Sequence, residues 1–409
     1  MKNRLDRSKL FIGAYILQPY ARTERHIREL AECGIDVVMC MQYDRPALDL
    51  FAKYSVGAVV SGVLPGWWGG DGDKAGRMES INTPDKYEAA AKVFADHPAI
   101  VGIDTGDEPS ALDFPYYGKI IDFTERAFPD QFAYLNLYPN YASVAQNSGE
   151  ETVCQLGTST YAEYIAKYCE YVPSDYLCYD YYMYSASVAG AYENLRIAAD
   201  ACRDTGRDLW IVLQVNSSRP EVWISENQLR FQAYSAMAFG ARAIIWACYT
   251  AGWWHNQVLD ENGEKTEQYE KLKRINREIK LLGEIYMKYR RTSTHFIGFC
   301  EDHPDLKALA YKPVSALNTG IFLDIRADAP IIAGQMVGTE PCDGYALMLC
   351  AADDPQDRAG RSFEITFRAP YSRTVSVCQG GERSVLLPDE SGVYRLSLSS
   401  CSGALVTAK

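Results

Sequence analysis

The sequence predicts a (β/α)₈ barrel followed by a small C-terminal antiparallel β-sandwich. Three observations carry this expectation. Eight short apolar runs alternate with helix-like segments up to about residue 290, closely spaced alternating segments follow, and an acidic pair stands at the end of the fourth run. Strand–helix alternation repeated eight times implies a parallel sheet, and closure into a barrel removes its edges. A doubly wound open sheet is the alternative, but no Gly-x-Gly-x-x-Gly follows the first run to support a dinucleotide fold.

The eight candidate strands are Leu10–Leu17, Ile35–Met41, Gly57–Val63, Ile100–Asp104, Phe132–Leu137, Tyr176–Tyr182, Leu209–Val215 and Ala243–Cys248. Parallel strands buried on both faces read as continuous apolar runs of this kind. Between them, Thr83 followed by Pro84 and Asp85 predicts an N-cap with proline at the first helical position. Ser225 with Gln228 predicts a capping box, Gly240 stops that helix, and Gly206 closes another. A long charged helix is expected around Glu264–Arg291. Beyond it, Leu306–Tyr311, Thr319–Leu323, Gly344–Cys350, Ser362–Phe367, Val375–Val377 and Val393–Leu398 read as strands of the sandwich. The expected division is a barrel over 1–291 and a β-sandwich over 292–409.

The 409 residues suffice for both units. A formal net charge of −12, with no Lys/Arg run, excludes nucleic acid and anionic membrane as partners. Met1–Leu10 is charged and lacks the apolar core of a signal peptide, and no run is long enough to span a bilayer. Among the twelve cysteines, Cys40, Cys178 and Cys248 sit within apolar runs as small hydrophobes, and none has zinc-site spacing. These features predict a reduced, cytoplasmic protein without metal or cofactor, and leave an oligomer possible.

Chemistry in such a barrel gathers at the C-terminal strand ends. There the sequence places Tyr43 and Asp44, Trp67 and Trp68, Asp107 and Glu108, Asn136 and Tyr138, Asp180 and Tyr182, Gln214 and Asn216, then Trp253, Trp254 and His255. Two Trp-Trp pairs across one mouth, set among amides and carboxylates, suit a sugar, whose C–H faces stack on aromatics while its hydroxyls need polar partners. Pro109 is expected to hold Glu108 in extended geometry, aiming it as a general acid. Asp180, a charge inside an otherwise aromatic strand, is the favoured second carboxylate.

The stretch His97-Pro-Ala-Ile-Val-Gly-Ile-Asp-Thr-Gly-Asp-Glu-Pro109 resembles bacterial members of the large clan of (β/α)₈ glycoside hydrolases, whose acid/base Glu follows strand 4, usually as Asn-Glu-Pro. The resemblance implies glycosidase activity on oligosaccharides or glycosides, with Glu108 as acid/base. Two positions depart from the clan pattern. Asp107 replaces the Asn that would bind the substrate's 2-hydroxyl, and Gln214 stands where strand 7 should end in a nucleophilic Glu. An amide cannot form a glycosyl ester. Another carboxylate therefore does the second job, or the protein inverts, or it binds carbohydrate without cleaving it.

Overall fold

The computed structural model describes residues 4–68, 74–142, 155–307, 312–353 and 361–409. Within them eight strands run parallel: β1 (Phe11–Tyr15), β2 (Val37–Gln42), β3 (Gly57–Ser61), β4 (Ile100–Asp107), β5 (Phe132–Asn136), β6 (Tyr176–Tyr181), β7 (Asp208–Gln214) and β8 (Ala241–Ala247). They pair in the order β5-β4-β3-β2-β1-β8-β7-β6. The ring closes just past β5, where the Leu137 N–H donates to the Cys178 carbonyl at 2.9 Å. Lower down, a side chain spans the same seam. The Tyr176 hydroxyl donates to the Ala133 carbonyl at 2.7 Å and accepts the Leu135 N–H at 2.9 Å. All eight expected strands overlap these, and the barrel is closed.

Its interior is filled rather than open. Phe11, Val37, Val59, Phe132, Tyr176, Trp210 and Ile245 form one buried cluster, in which Tyr176 stacks on Trp210 with ring centroids 3.8 Å apart. Bulky inward residues of this kind make a barrel centre a packed core. The helix punctuation follows the expected chemistry in three cases, one of them Gly240, at φ 93°, just past the helix Glu226–Ala238. Ser225 and Gln228 form both halves of a capping box, and Gly206 ends Val188–Thr205 with φ 73°. Thr83 occupies its N-cap position, but its side chain makes no capping hydrogen bond.

The long charged helix spans Glu267–Tyr286 and gives way at once to a strand, β9 (Tyr289–Ile297), where helix was expected up to Arg291. There follow β10 (Leu323–Ala327), β11 (Ile331–Gly338), β12 (Tyr345–Ala351), β13 (Ser362–Arg368), β14 (Val375–Gln379), β15 (Glu382–Val385), β16 (Tyr394–Ser399) and β17 (Gly403–Ala408). One antiparallel sheet has the order β15-β14-β17-β12-β11-β9 and another β10-β13-β16. Leu347, Leu349 and Val406 of the first pack with Ile325, Ile365 and Leu396 of the second in a shared core, which makes a sandwich. Leu306 belongs to a short helix, Pro304–Lys307, rather than a strand, and 308–311 lie outside the described residues. The expected strand Thr319–Leu323 begins only at Leu323.

Strands β9, β11, β15 and β17 were not expected, and β11 shows one reason. Its Gly334 interrupts the apolar run because a Cβ there would lie 2.1 Å from the Ala238 carbonyl oxygen of the barrel. The glycine lets the sandwich backbone approach the helix Glu226–Ala238 directly. Thr294 of β9 donates to the same carbonyl at 3.0 Å.

Candidate active site

Strand β4 delivers the acidic residues through a local irregularity. Asp104 pairs with Tyr134 and Gly106 with Leu135, so Thr105 is an extra residue that the register with β5 skips, its hydroxyl donating to the Tyr134 carbonyl at 2.6 Å. A bulge of this type resets the alternation of side chains. Asp104 and Asp107, opposite the interior residues Tyr134 and Asn136, thereby share the inner face. Gly106, at φ 146°, is required here: a Cβ would lie 2.8 Å from the Trp67 carbonyl oxygen. That carbonyl accepts the Asp107 N–H at 2.9 Å, tying the loop after β3 to the end of β4.

Glu108 departs from the extended geometry expected before proline. Its φ is 47°, a left-handed conformation that costs a non-glycine residue about 1–3 kcal/mol. The main chain on both sides imposes it. The Glu108 N–H donates to the Asn136 carbonyl at 2.9 Å, and the Tyr164 hydroxyl donates to the Pro109 carbonyl at 2.9 Å.

The strand ends enclose a cavity of about 250 Å³ lined by Tyr15, Trp68, Asp107, Glu108, Asn136, Asp180, Tyr182, Val212 and Trp253. Asn136 sits between two carboxylates. Its Nδ2 donates to Asp180 Oδ1 at 2.8 Å and to Asp107 Oδ1 at 3.1 Å. Burial raises the pKa of Asp107 well above the usual carboxylate range, the charge of Asp180 raises it further, and the Asn136 hydrogen bond opposes both. Burial likewise raises Asp180, opposed by hydrogen bonds from Asn136 and the Tyr141 hydroxyl. Two buried carboxylates that share one amide resist double ionisation, which favours a proton held between them. Beneath it, burial raises Asp104 to about 6 against hydrogen bonds from Ser61 and Gly106.

Asn136 is itself held from below. Its Oδ1 accepts from Cys178 Sγ at 3.5 Å, and that sulfur lies 3.4 Å from the Tyr134 hydroxyl, which is 2.5 Å from the Tyr15 hydroxyl. The aromatic wall has two qualities. Trp68 is 65% exposed, whereas Trp253 packs against Tyr15 and Tyr182 with centroids 6.3 and 6.1 Å away.

Of the residues singled out in the sequence, Asp107, Glu108, Asp180, Trp68, Asn136, Tyr182 and Trp253 come together around this cavity. The others do not line it. Trp67 is buried in the core around the barrel, as is Tyr138 beside Tyr164. Asp44 caps the helix Arg45–Tyr54 and pairs with Arg22 at 3.1 Å, and its neighbour Tyr43 is exposed. Trp254 packs edge-on against Tyr182, 5.0 Å away. His255 is exposed, its backbone paired with Ser217. Gln214 and Asn216 brace neighbouring loops. Gln214 accepts the Tyr184 N–H at 3.0 Å and donates to Ser185 and to the Asn216 carbonyl, while Asn216 donates to the Trp253 carbonyl at 2.6 Å.

Sequence reasoning missed Tyr15, Val212 and Tyr141. Period-two alternation along Phe11, Gly13 and Tyr15 points Tyr15 inward, and the same count finds Val212 from Trp210. Nothing periodic marks Tyr141, which stands in a loop. Among the described residues, no group of three His, Cys, Asp or Glu could hold a metal ion, and no helix is long and apolar enough to cross a membrane.

The fold and site define a (β/α)₈ barrel with an acid-floored, aromatic-walled cavity at the strand C-termini. No protein-family model matches the sequence, and no curated protein matches it. Solved structures similar to it include a β-galactosidase from the haloarchaeon Halorubrum lacusprofundi, at 13% identity and TM-score 0.47 over 68% of this chain. The chain spans 58% of that enzyme's length. A glycoside hydrolase family 5 mannosidase from Rhizomucor miehei matches at 12% identity and TM-score 0.44, over 67% of this chain and 93% of that one. Xylanase 10B from Thermotoga maritima matches at 12% identity and TM-score 0.45, over 68% of this chain and 98% of that one. The barrel assignment itself stands on the strand order and closure described above.

Proposed function

We propose that the protein is a glycoside hydrolase acting on short oligosaccharides or glycosides, with Glu108 as general acid and Asp180 as second carboxylate. The observation that carries this reading is the meeting of Glu108, Asp107 and Asp180 in one cavity with Trp68 and Trp253. Glu108 donates a proton to the glycosidic oxygen as the C–O bond breaks. Asp180, which both Asn136 and Tyr141 favour in its ionised form, takes a proton from an attacking water or itself attacks the anomeric carbon. Asp107 keeps the shared proton and donates to a sugar hydroxyl. Trp68 and Trp253 stack on the ring faces, and the cytoplasmic setting expected from the sequence belongs to the same proposal.

A panel of natural and aryl glycosides, with the first-formed anomer followed by NMR, tests this reading. Cleavage supports it, and the anomer tells whether Asp180 acts as base or nucleophile. One observation favours a second reading, carbohydrate binding without cleavage. The residue ending β7 is a fully buried amide whose hydrogen bonds all go to protein. Saturable oligosaccharide binding with no turnover across the panel would move the assignment there.

A further inference from the structure

We propose that the protein binds a phosphate-type dianion in a second cavity, at the end of the barrel opposite the acidic site. This cavity, about 260 Å³, is bounded by the residues leading into β7 and β8 and by β9. Arg203, Arg207, Arg242, Arg290 and Arg291 line it, and no carboxylate is among its described lining residues. Five arginines lining one cavity in a chain of net charge −12 are not a sample of its average surface.

Local structure brings them together. Gly206 turns the chain out of Val188–Thr205 in the left-handed conformation, placing Arg207 at the wall. Gly240, at φ 93°, leaves room for the stem of Arg291, whose Cβ would lie 2.9 Å from a Cβ at that position.

The charges nearby do not balance. Asp208 pairs with Arg242 at 3.1 Å and with Arg290 at 2.5 Å. Asp200 pairs with Arg291 at 2.9 Å and Arg203 at 3.1 Å, and Asp204 pairs with Arg203 at 2.7 Å. Arg207 instead donates to the backbone carbonyls of Ser174, Cys169 and Val172. Asp208 also pairs with Arg7, which in turn pairs with Asp175, both at 3.1 Å, so four carboxylates face six guanidiniums and two positive charges are left uncompensated.

A second, independent observation points to a ligand. The Arg291 side chain is only 5% exposed. Its Nε donates to Thr294 and its Nη2 to Asp200, yet its Nη1 is buried without a hydrogen-bond partner. A buried N–H left unmade carries its full desolvation penalty. An anion bound in the cavity that draws the Arg291 side chain toward it gives Nη1 the acceptor it lacks. Guanidinium forks match tetrahedral oxyanions, and two surplus charges suit a dianion. Inorganic phosphate and a sugar phosphate monoester share this chemistry.

Calorimetric titration of the full chain with inorganic phosphate, at pH 7.5 and ionic strength fixed with sodium chloride, tests the proposal. One equivalent is expected to bind saturably and to raise the thermal unfolding midpoint. Arg291→Lys keeps the charge but loses the fork, and should weaken binding at least tenfold. Arg290→Ala removes a half-exposed side chain and should do the same, which guards against a folding defect in the first variant. A hexose 6-phosphate that competes and binds more tightly identifies a phosphorylated sugar as the ligand; one that competes no better identifies free phosphate. Absence of saturable binding to the wild-type protein, or full binding in both variants, overturns the proposal.

Discussion

Replacing Asp104 with asparagine isolates the electrostatic load beneath the acidic cavity. Burial holds the Asp104 carboxyl at about 6 in the folded chain, against an ordinary value of 3.8. A carboxyl raised on folding binds its proton more tightly in the native state than in the unfolded one. Its stability contribution is therefore fully present below about pH 4 and lost as pH rises through about 6. Two units correspond to roughly 3 kcal/mol, at about 1.4 kcal/mol per unit. The amide has no such titration. Its oxygen still accepts the Gly106 N–H, and its NH₂ can donate to Ser61, whose hydroxyl now donates to Asp104 at 2.7 Å. Urea unfolding followed by tryptophan fluorescence should show Asp104→Asn close to wild type at pH 4 and up to roughly 3 kcal/mol more stable at pH 7.5. Equal destabilisation at both pH values would mean instead that the carboxylate itself, not its burial, matters to the fold.

The other expectations concern the cavity and its supports. Trp68→Ala removes an exposed ring, so thermal stability should hold while calorimetry shows sugar binding weakened roughly threefold to tenfold, the weight of an aromatic contact of about 0.5–1.5 kcal/mol. Gln214→Glu places a carboxylate where the amide nitrogen now donates to Ser185 and Asn216. It should destabilise the chain by about 3–5 kcal/mol in denaturant titration without raising turnover. Asn136→Ala withdraws a hydrogen bond that lowers both Asp107 and Asp180. Both pKa values should rise, moving the acidic limb of a pH–rate profile to higher pH.

Much of the barrel was legible because its strands are buried on both faces and its helices carry caps and stops. Ser225 with Gln228 and Gly206 are local chemistry that no tertiary contact overrides. The sandwich was less legible because Gly334 and Gly403 sit in strands where the backbone meets the barrel, the latter against the Tyr234 ring, so apolar periodicity breaks at the contact itself. Position along β4 and β6 sufficed to place Glu108 and Asp180 in the lining of the cavity. The geometry of Glu108 did not follow from Pro109, since the hydrogen bonds to the Asn136 carbonyl and from the Tyr164 hydroxyl override the local preference. Nor does strand-end position distinguish a lining residue from a brace. Gln214 and Asn216 stand beside the cavity and spend their amides on loop backbone, a distinction that only the hydrogen-bond partners reveal.

If Glu108 protonates a leaving oxygen in the cavity it shares with Asp180, its loss must show most where the leaving group is poor. Turnover of Glu108→Gln on two substrates tests this most directly: an unactivated glycoside, and an aryl glycoside whose leaving group needs no protonation. Turnover of the first should fall roughly 10²–10⁴-fold, while kcat/KM on the second stays near wild type, because its bond breaking needs no acid whether Asp180 acts as base or as nucleophile. Unchanged turnover of the unactivated glycoside would contradict it.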